Sequence, residues 1–490
     1  MKILFINPPD ELKLPQAPEE DGQSFMDSDD YGNFPPLGLL YVLSYLEKED
    51  PSTEIFYKDC IAERVSHAEL KKIVEDLQPD VVGITSFTIS LVDVCMAAKN
   101  VRAIKPDAFI VLGGHHPIAF PREAAKLPNF DCIVVGEGEI PFTEIIKALK
   151  AGDRGAIPKI TGVYTSESIK EWENKEVVDK RLLKHANVPV SYVEDLSTLV
   201  IPNRNYIKHI DYNSVVGKHN KLATILTSRG CPYLCTFCDV PYKKYRTRTM
   251  GSVVDEIEVC LDLGYEEFHF YDDLFNVTPT KVINFCEELE KRDLKITWDF
   301  RGRVNACTEE SLVRAKNAGL RMISFGVETG SDAGLKYLKK GTTCAKIEQA
   351  FKWCREIGIS SIADFIIGFP FEKTREDVMS NLRFLQNIDP DFALIQILQT
   401  LPNTPLYDEA VERGIVDGEA WYKFVLNPTT DFRITHWLEH FTLAELVEMR
   451  KAAYRMFYFK PKRVVRTILK TRSLHEFKSR VRGALTILNG

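Results

Sequence analysis

Short apolar runs alternate with amphipathic helical segments along most of this chain, and the alternation comes in two series. Over residues 1 to about 150, Lys2–Ile6, Ile55–Tyr57, Val81–Ile84, Phe109–Leu112 and Cys132–Val135 read as strands buried on both faces. Helical patterns over Leu37–Glu47, Ala68–Leu77, Leu91–Ile104 and Ile140–Lys150 separate them. This order predicts a doubly wound, Rossmann-like α/β sheet, whose ligands sit at the carboxyl ends of the strands. The turns expected there are Gly113-Gly114-His115-His116 and Gly136-Glu137-Gly138-Glu139. The acidic stretch Asp10–Asn33 breaks the pattern and reads as a surface loop.

The second series begins near Leu222, with strands at Leu222–Thr227, Glu267–Tyr271, Ile296–Phe300, Met322–Val327, Ser361–Ile367 and Phe392–Leu398. Helical segments such as Val253–Leu263, Val282–Lys291, Glu309–Ala318 and Ile347–Ile357 lie between them. Six βα units predict a partial, TIM-like (β/α)6 barrel with its chemistry at the strand ends. The expected organisation is a ligand-binding unit at 1–150, a connector at 151–215, the barrel at 216–420, and a small, mostly helical C-terminal region at 421–490. The tail from Lys460 carries nine Lys/Arg against Glu476 alone, with Val464, Val465, Ile468 and Leu469 at helical spacing. It reads as a helix packed on an acidic barrel surface, or as a weak contact with a membrane surface or an anionic substrate.

A net charge of -7 excludes a general nucleic-acid binder. No apolar run is long enough to span a bilayer, and the start MKILFINPPD reads as a buried strand rather than a signal peptide. Eleven cysteines without a secretory signal imply a reduced, cytoplasmic setting rather than a disulfide framework. Eight of them, Cys60, Cys95, Cys132, Cys260, Cys286, Cys307, Cys344 and Cys354, have no metal-ligand spacing and read as small buried residues.

The other three form Cys231-Pro-Tyr-Leu-Cys235-Thr-Phe-Cys238, immediately after the first barrel strand. Three thiolates can hold three irons of a cubic 4Fe–4S cluster and leave the fourth open to a ligand, whereas an all-cysteine electron-transfer cluster takes four. A zinc site would need a fourth ligand, and His209, His219 and His269 lack motif spacing.

The run, with Phe237 before its last cysteine, resembles the signature of the radical S-adenosylmethionine (SAM) superfamily. That resemblance implies a cluster on Cys231, Cys235 and Cys238 whose open iron is chelated by SAM. One-electron cleavage of SAM would then give a 5′-deoxyadenosyl radical, with the electron coming from a donor such as flavodoxin or ferredoxin. Later segments are similar to the family in order and in strand-end position: Tyr271-Asp272-Asp273-Leu274-Phe275, Phe300-Arg301-Gly302-Arg303, Phe325-Gly326-Val327-Glu328-Thr329-Gly330-Ser331 and Phe365-Ile366-Ile367-Gly368-Phe369-Pro370. The resemblance makes Phe237, Asp272, Asp273, Arg301, Glu328 and Ser331 candidate SAM contacts.

Asn7-Pro8-Pro9, Phe34-Pro35-Pro36-Leu37-Gly38, Val81–Ser86 and the two glycine-rich turns resemble the cobalamin-binding domain fused to many radical SAM enzymes. The implied cobalamin contacts are Ser86, Gly113, Gly114, Gly136, Glu137 and Gly138. Cobalamin domains that supply a lower axial histidine carry Asp-x-His-x-x-Gly, but here the stretch is Asp59-Cys60-Ile61-Ala62-Glu63-Arg64, with no imidazole. His115 and His116 follow a later strand and are poor substitutes. The resemblance implies a cobalamin-dependent methyltransferase acting on an unactivated carbon, or alternatively a cyclase, oxidase or mutase on the same scaffold. A non-catalytic electron-transfer protein would need a fourth cluster ligand. No residue is singled out as a catalytic acid or base, and the substrate class, whether peptide, lipid, tetrapyrrole or small metabolite, is open.

Overall fold

The computed structural model describes residues 1–12, 33–173, 175, 188–212, 214, 217, 221–429, 432–460 and 463. The first series of runs builds one six-stranded sheet. Its strands are β1 (Lys2–Asn7), β2 (Glu54–Asp59), β3 (Val81–Ser86), β4 (Phe109–Gly114), β5 (Cys132–Val134) and β6 (Val163–Tyr164), in the order β2-β1-β3-β4-β5-β6. The first five are parallel, and β6 pairs antiparallel with β5. Both faces are covered, one by helices Leu37–Glu49 and Glu139–Lys150, the other by His67–Leu77 and Leu91–Ile104. That double coverage is why β1, β3 and β4 are almost wholly apolar and buried. Because β6 lies in the stretch expected as connector, the sheet runs past residue 150.

The second series builds a six-stranded parallel sheet. Strand β7 (Leu222–Ile225) is followed by a two-stranded ribbon, β8 (Ser228–Arg229) and β9 (Arg246–Thr247). Then come β10 (Glu267–Phe270), β11 (Thr297–Gly302), β12 (Leu320–Glu328), β13 (Ser360–Ile367) and β14 (Phe392–Ile397), which follow β7 across the sheet in chain order. Alternate residues separate two environments. Phe268, Phe270, Trp298 and Phe300 join Phe275 and Phe285 in a core beneath the helices. Glu267, His269 and Asp299 alternate with them and face the lumen, tied together through Arg321.

β7 and β14 are not paired with each other, so the barrel is open. The free edge of β14 is met by helix Leu443–Tyr458. The Tyr454 hydroxyl accepts from Ile395 N at 2.9 Å and donates to Ile395 O at 3.3 Å. The Tyr458 hydroxyl does the same for Ala393, at 3.0 and 3.1 Å. Four helical residues rise about 6 Å and two strand residues about 6.6 Å, so the two spacings match.

Among the described residues no helix is long and apolar enough to cross a membrane, and all eleven cysteines are free. The basic tail lies outside the described residues, apart from Lys460 and Arg463.

Candidate active site

The cysteine run leaves the end of β8. Gly230 has φ +83°, and a Cβ there would meet Lys244 O at 2.6 Å and Tyr242 O at 2.9 Å, so only glycine fits the turn. Its N–H donates to Asp273 Oδ2 at 2.9 Å, and Cys231 N donates to Tyr242 O at 2.9 Å. Cys231 and Cys235 are buried and Cys238 is half-buried. Burial pushes the Cys231 thiol up, and that of Cys238 to about 12. Such groups become thiolates at neutral pH only with a metal to hold the charge.

The strand ends bring several groups to this loop. Arg303 donates from Nη1 to Cys235 Sγ at 3.4 Å and lies 3.7 Å over the Tyr233 ring. Lys340 sits 5.7 Å over the Phe237 ring and 2.6 Å from Glu328 Oε1. Glu328 is bent into the lumen by a left-handed backbone, φ 66°, at the irregular end of β12. Arg301 is exposed in the lumen, on the side of Asp364, which accepts from Ser324 Oγ at 2.7 Å. Asp273 is exposed to solvent. Desolvation pushes its carboxyl up against the Gly230 N–H, and Asp272 and Asp239 add to the rise.

Two sequence candidates have internal partners instead. Asp272 accepts from Thr227 N at 3.2 Å, from Thr227 Oγ1 at 2.7 Å and from Ser228 Oγ, with Lys281 Nζ at 3.7 Å. It ties the end of β10 to the start of the cysteine loop. Ser331 caps helix Asp332–Tyr337 by accepting from Gly334 N at 3.3 Å.

The first sheet divides in the same way. A Cβ on Gly113 would meet nothing within 4 Å, so open space lies at the end of β4. Ser86 Oγ donates to Gly113 O at 2.8 Å, and Gly114, at φ +94°, lets the chain pass Ser86. The turn after β5 faces protein instead. A Cβ on Gly136 would lie 2.2 Å from Ser191 O, and one on Gly138 2.9 Å from Val42 Cγ2. Both Glu137 oxygens are engaged by Arg246 at 2.8 and 2.9 Å, with Val193 N at 2.6 Å and Arg229 at 3.4 Å. Burial pushes that carboxyl up, but Arg246 and Arg229 outweigh it and hold it below the usual carboxylate range. Glu139 holds Arg229 at 2.5 Å. The Gly136–Glu139 turn is therefore a clamp between the two sheets, because Arg229 precedes Gly230-Cys231 directly.

The Asp59–Arg64 loop presents no imidazole. Asp59 accepts from Asn7 Nδ2 at 2.7 Å and Tyr212 OH at 2.7 Å, and Cys60 lies in the core. His116 is buried, with Nδ1 3.2 Å from Thr88 Oγ1. His115 turns outward, stacks on Phe87 with ring centroids 6.0 Å apart, and brings Nε2 to 3.7 Å from Asp239, next to Cys238. Phe34, before the first helix, packs on His269 and Tyr271 at 5.4 and 6.1 Å. The carboxyl ends of the two sheets are thus brought into contact.

Residues 225–385 match the radical SAM superfamily, and residues 28–146 match the B12 binding domain. This is a radical SAM enzyme with a B12-binding domain. Its cofactors are a 4Fe–4S cluster, SAM and cobalamin. The radical SAM enzyme is 28% identical over 495 residues to an uncharacterised methyltransferase of Pyrococcus horikoshii, covering 99% of this chain and 98% of that one. It is 29% identical over 406 residues to an anaerobic magnesium-protoporphyrin IX monomethyl ester cyclase of Rubrivivax gelatinosus, covering 80% and 69%. Its fold is that of the radical SAM methyltransferase TsrM of Kitasatospora setae, at TM-score 0.64 and 21% identity, covering 84% of this chain and 75% of that one.

The side chains fit these groups. Arg303 is 7% exposed, and its Nε and Nη2 have no hydrogen-bond partner. Buried cationic donors of this kind call for an anion beside Cys235, and a thiolate-ligated cluster with a carboxylate-bearing cofactor supplies one. Among the described residues no three Cys, His, Asp or Glu side chains are grouped as for one metal ion. A cluster with one thiolate per iron does not require such a group. Arg229, Asp239 and Lys340 were not singled out in the sequence. Only the adjacency of Arg229 and Asp239 to the cysteine run could have marked them.

Proposed function

We propose that this enzyme is a cobalamin-dependent methyltransferase acting on an unactivated carbon. Bound here, the cluster and SAM supply a 5′-deoxyadenosyl radical, and cobalamin supplies the methyl group. The observation that carries the reading is the approach of His115 to Asp239 at 3.7 Å, which joins the end of β4 to the last cysteine. Two reactive centres must converge on one substrate carbon, and facing strand ends allow it.

In this reading Cys231, Cys235 and Cys238 ligate the cluster. Phe237, Asp273, Arg301 and Glu328 line the SAM site, while Asp272 and Ser331 hold the loops behind them. Ser86, Gly113 and Gly114 border the cobalamin, and Gly136, Glu137 and Gly138 support it from the clamp. The Asp59–Arg64 loop offers no histidine that could ligate cobalt. The rings of Phe34, Phe87 and Tyr271 lie beside the gap between the two sites. The units of the chain are 1–150, 151–215, 216–420 and 421–490, with β6 of the connector completing the first sheet. A reductant, of the flavodoxin or ferredoxin type, delivers the electron, and the free cysteines suit the cytoplasm.

Anaerobic reconstitution with iron, sulfide and cobalamin, followed by reaction with methyl-labelled SAM, tests the reading. Label in the product together with 5′-deoxyadenosine and S-adenosylhomocysteine is the expected result. A cyclised or oxidised product without label would instead favour the activity named for the Rubrivivax relative.

A further inference from the structure

Arg303 is held more firmly than a surface arginine needs to be. Its backbone N donates to Asn276 Oδ1 at 2.9 Å, and its carbonyl accepts from Asn276 Nδ2 at 2.9 Å. Asn276 is fully buried, and a Cβ on Gly302 would come within 2.4 Å of its Oδ1, so the turn admits only glycine before Arg303. The side chain lies flat on Tyr233, inside the cysteine loop, and reaches Cys235 Sγ at 3.4 Å. Among the described residues no carboxylate pairs with this guanidinium, although it is 7% exposed.

We propose that Arg303 is a positioning residue that sets the reduction potential of the cluster through its hydrogen bond to Cys235. The proposal rests on the reading that Cys235 is a cluster ligand. A buried cation with no carboxylate is stable only beside negative charge, and three ligated thiolates provide it. Reduction adds one electron, delivered by the external one-electron donor, and no bond is made or broken at Arg303. The fixed positive charge and the N–H donation favour the reduced cluster more than the oxidised one, so both raise the potential. Lysine keeps the charge but loses the planar fork and the stacking on Tyr233.

The test is potentiometric titration of the reconstituted cluster, read by electron paramagnetic resonance, in the wild type, Arg303→Lys and Arg303→Gln. Iron and sulfide content and SAM affinity are measured on the same samples. The expected result is full iron in all three, with the potential falling in the order wild type, Arg303→Lys, Arg303→Gln. For Arg303→Gln the ratio of reduced to oxidised cluster at fixed potential should drop about tenfold, which is ~59 mV for one electron. An unchanged potential in iron-replete Arg303→Gln overturns the proposal. So does an unchanged potential with weakened SAM binding, which would assign Arg303 to SAM. If Arg303→Gln does not load iron, iron-replete Arg303→Lys decides: a lowered potential supports the proposal and a wild-type potential overturns it. Full cluster retention in Cys235→Ala would defeat the underlying reading instead.

Discussion

His115 Nε2 lies 3.7 Å from Asp239 Oδ2, across the boundary between the two six-stranded sheets. His115 directly follows β4, beside the open space at Gly113, and Asp239 directly follows Cys238. The contact therefore spans the two candidate cofactor sites. Both side chains are about one-third exposed, so the pair adds little to stability, ~1 kcal/mol at most. In His115→Phe, which can keep the stack on Phe87, the melting temperature should barely move and cobalamin and iron should still load. Methyl transfer should slow about ten- to a hundredfold while SAM cleavage persists, because orientation and not assembly is lost. Equal loss of both activities would refute this.

Replacing any one of Cys231, Cys235 or Cys238 with Ala should abolish SAM cleavage and lower iron and sulfide content, with cobalamin binding retained. Replacing Cys260 or Cys286, which sit in the barrel core, should leave iron stoichiometry intact. Iron and sulfide analysis with visible absorption separates the two groups.

The Glu137 clamp makes a stability prediction. Glu137→Ala leaves Arg246 buried without its counter-charge, a change of ~3–5 kcal/mol. The paired Glu137→Met, Arg246→Met variant removes both charges and should recover much of that loss, as urea unfolding would reveal. A single variant as stable as the wild type would remove the clamp from the account.

His116 gives the protein a pH dependence. Burial lowers its imidazole to about 3, with His115 adding to the shift. The unfolded chain takes up a proton near the ordinary value of about 6.5 and the folded one does not, so stability falls as pH drops from there toward 3. The contribution approaches ~1.4 kcal/mol per pH unit. His116→Asn should flatten the stability profile between pH 6 and 5, and an unchanged slope would show that another group governs it.

The strands were readable because burial on both faces leaves continuous apolar runs, as in Ile3–Ile6 and Val81–Ile84. The cysteine loop was readable because its spacing is local. The partners of Asp272 were not: Thr227, Ser228 and Lys281 come from two other segments, and only folding shows that they consume the carboxylate. The two arginines of Arg301-Gly302-Arg303 separate for a similar reason. Strand alternation sends Arg301 into the lumen, while the turn held by Asn276 swings Arg303 to Cys235. Glu137 looked like part of a glycine-rich ligand turn until Ser191 and Arg246 closed over it.

The tyrosines of helix Leu443–Tyr458 stand where a seventh strand would otherwise add to the barrel. Each hydroxyl both gives and takes a hydrogen bond, so Ala393 and Ile395 have nothing left to offer an incoming chain. An open parallel sheet is thereby protected at that rim from edge-to-edge aggregation and strand exchange between copies, without having to close into a full ring.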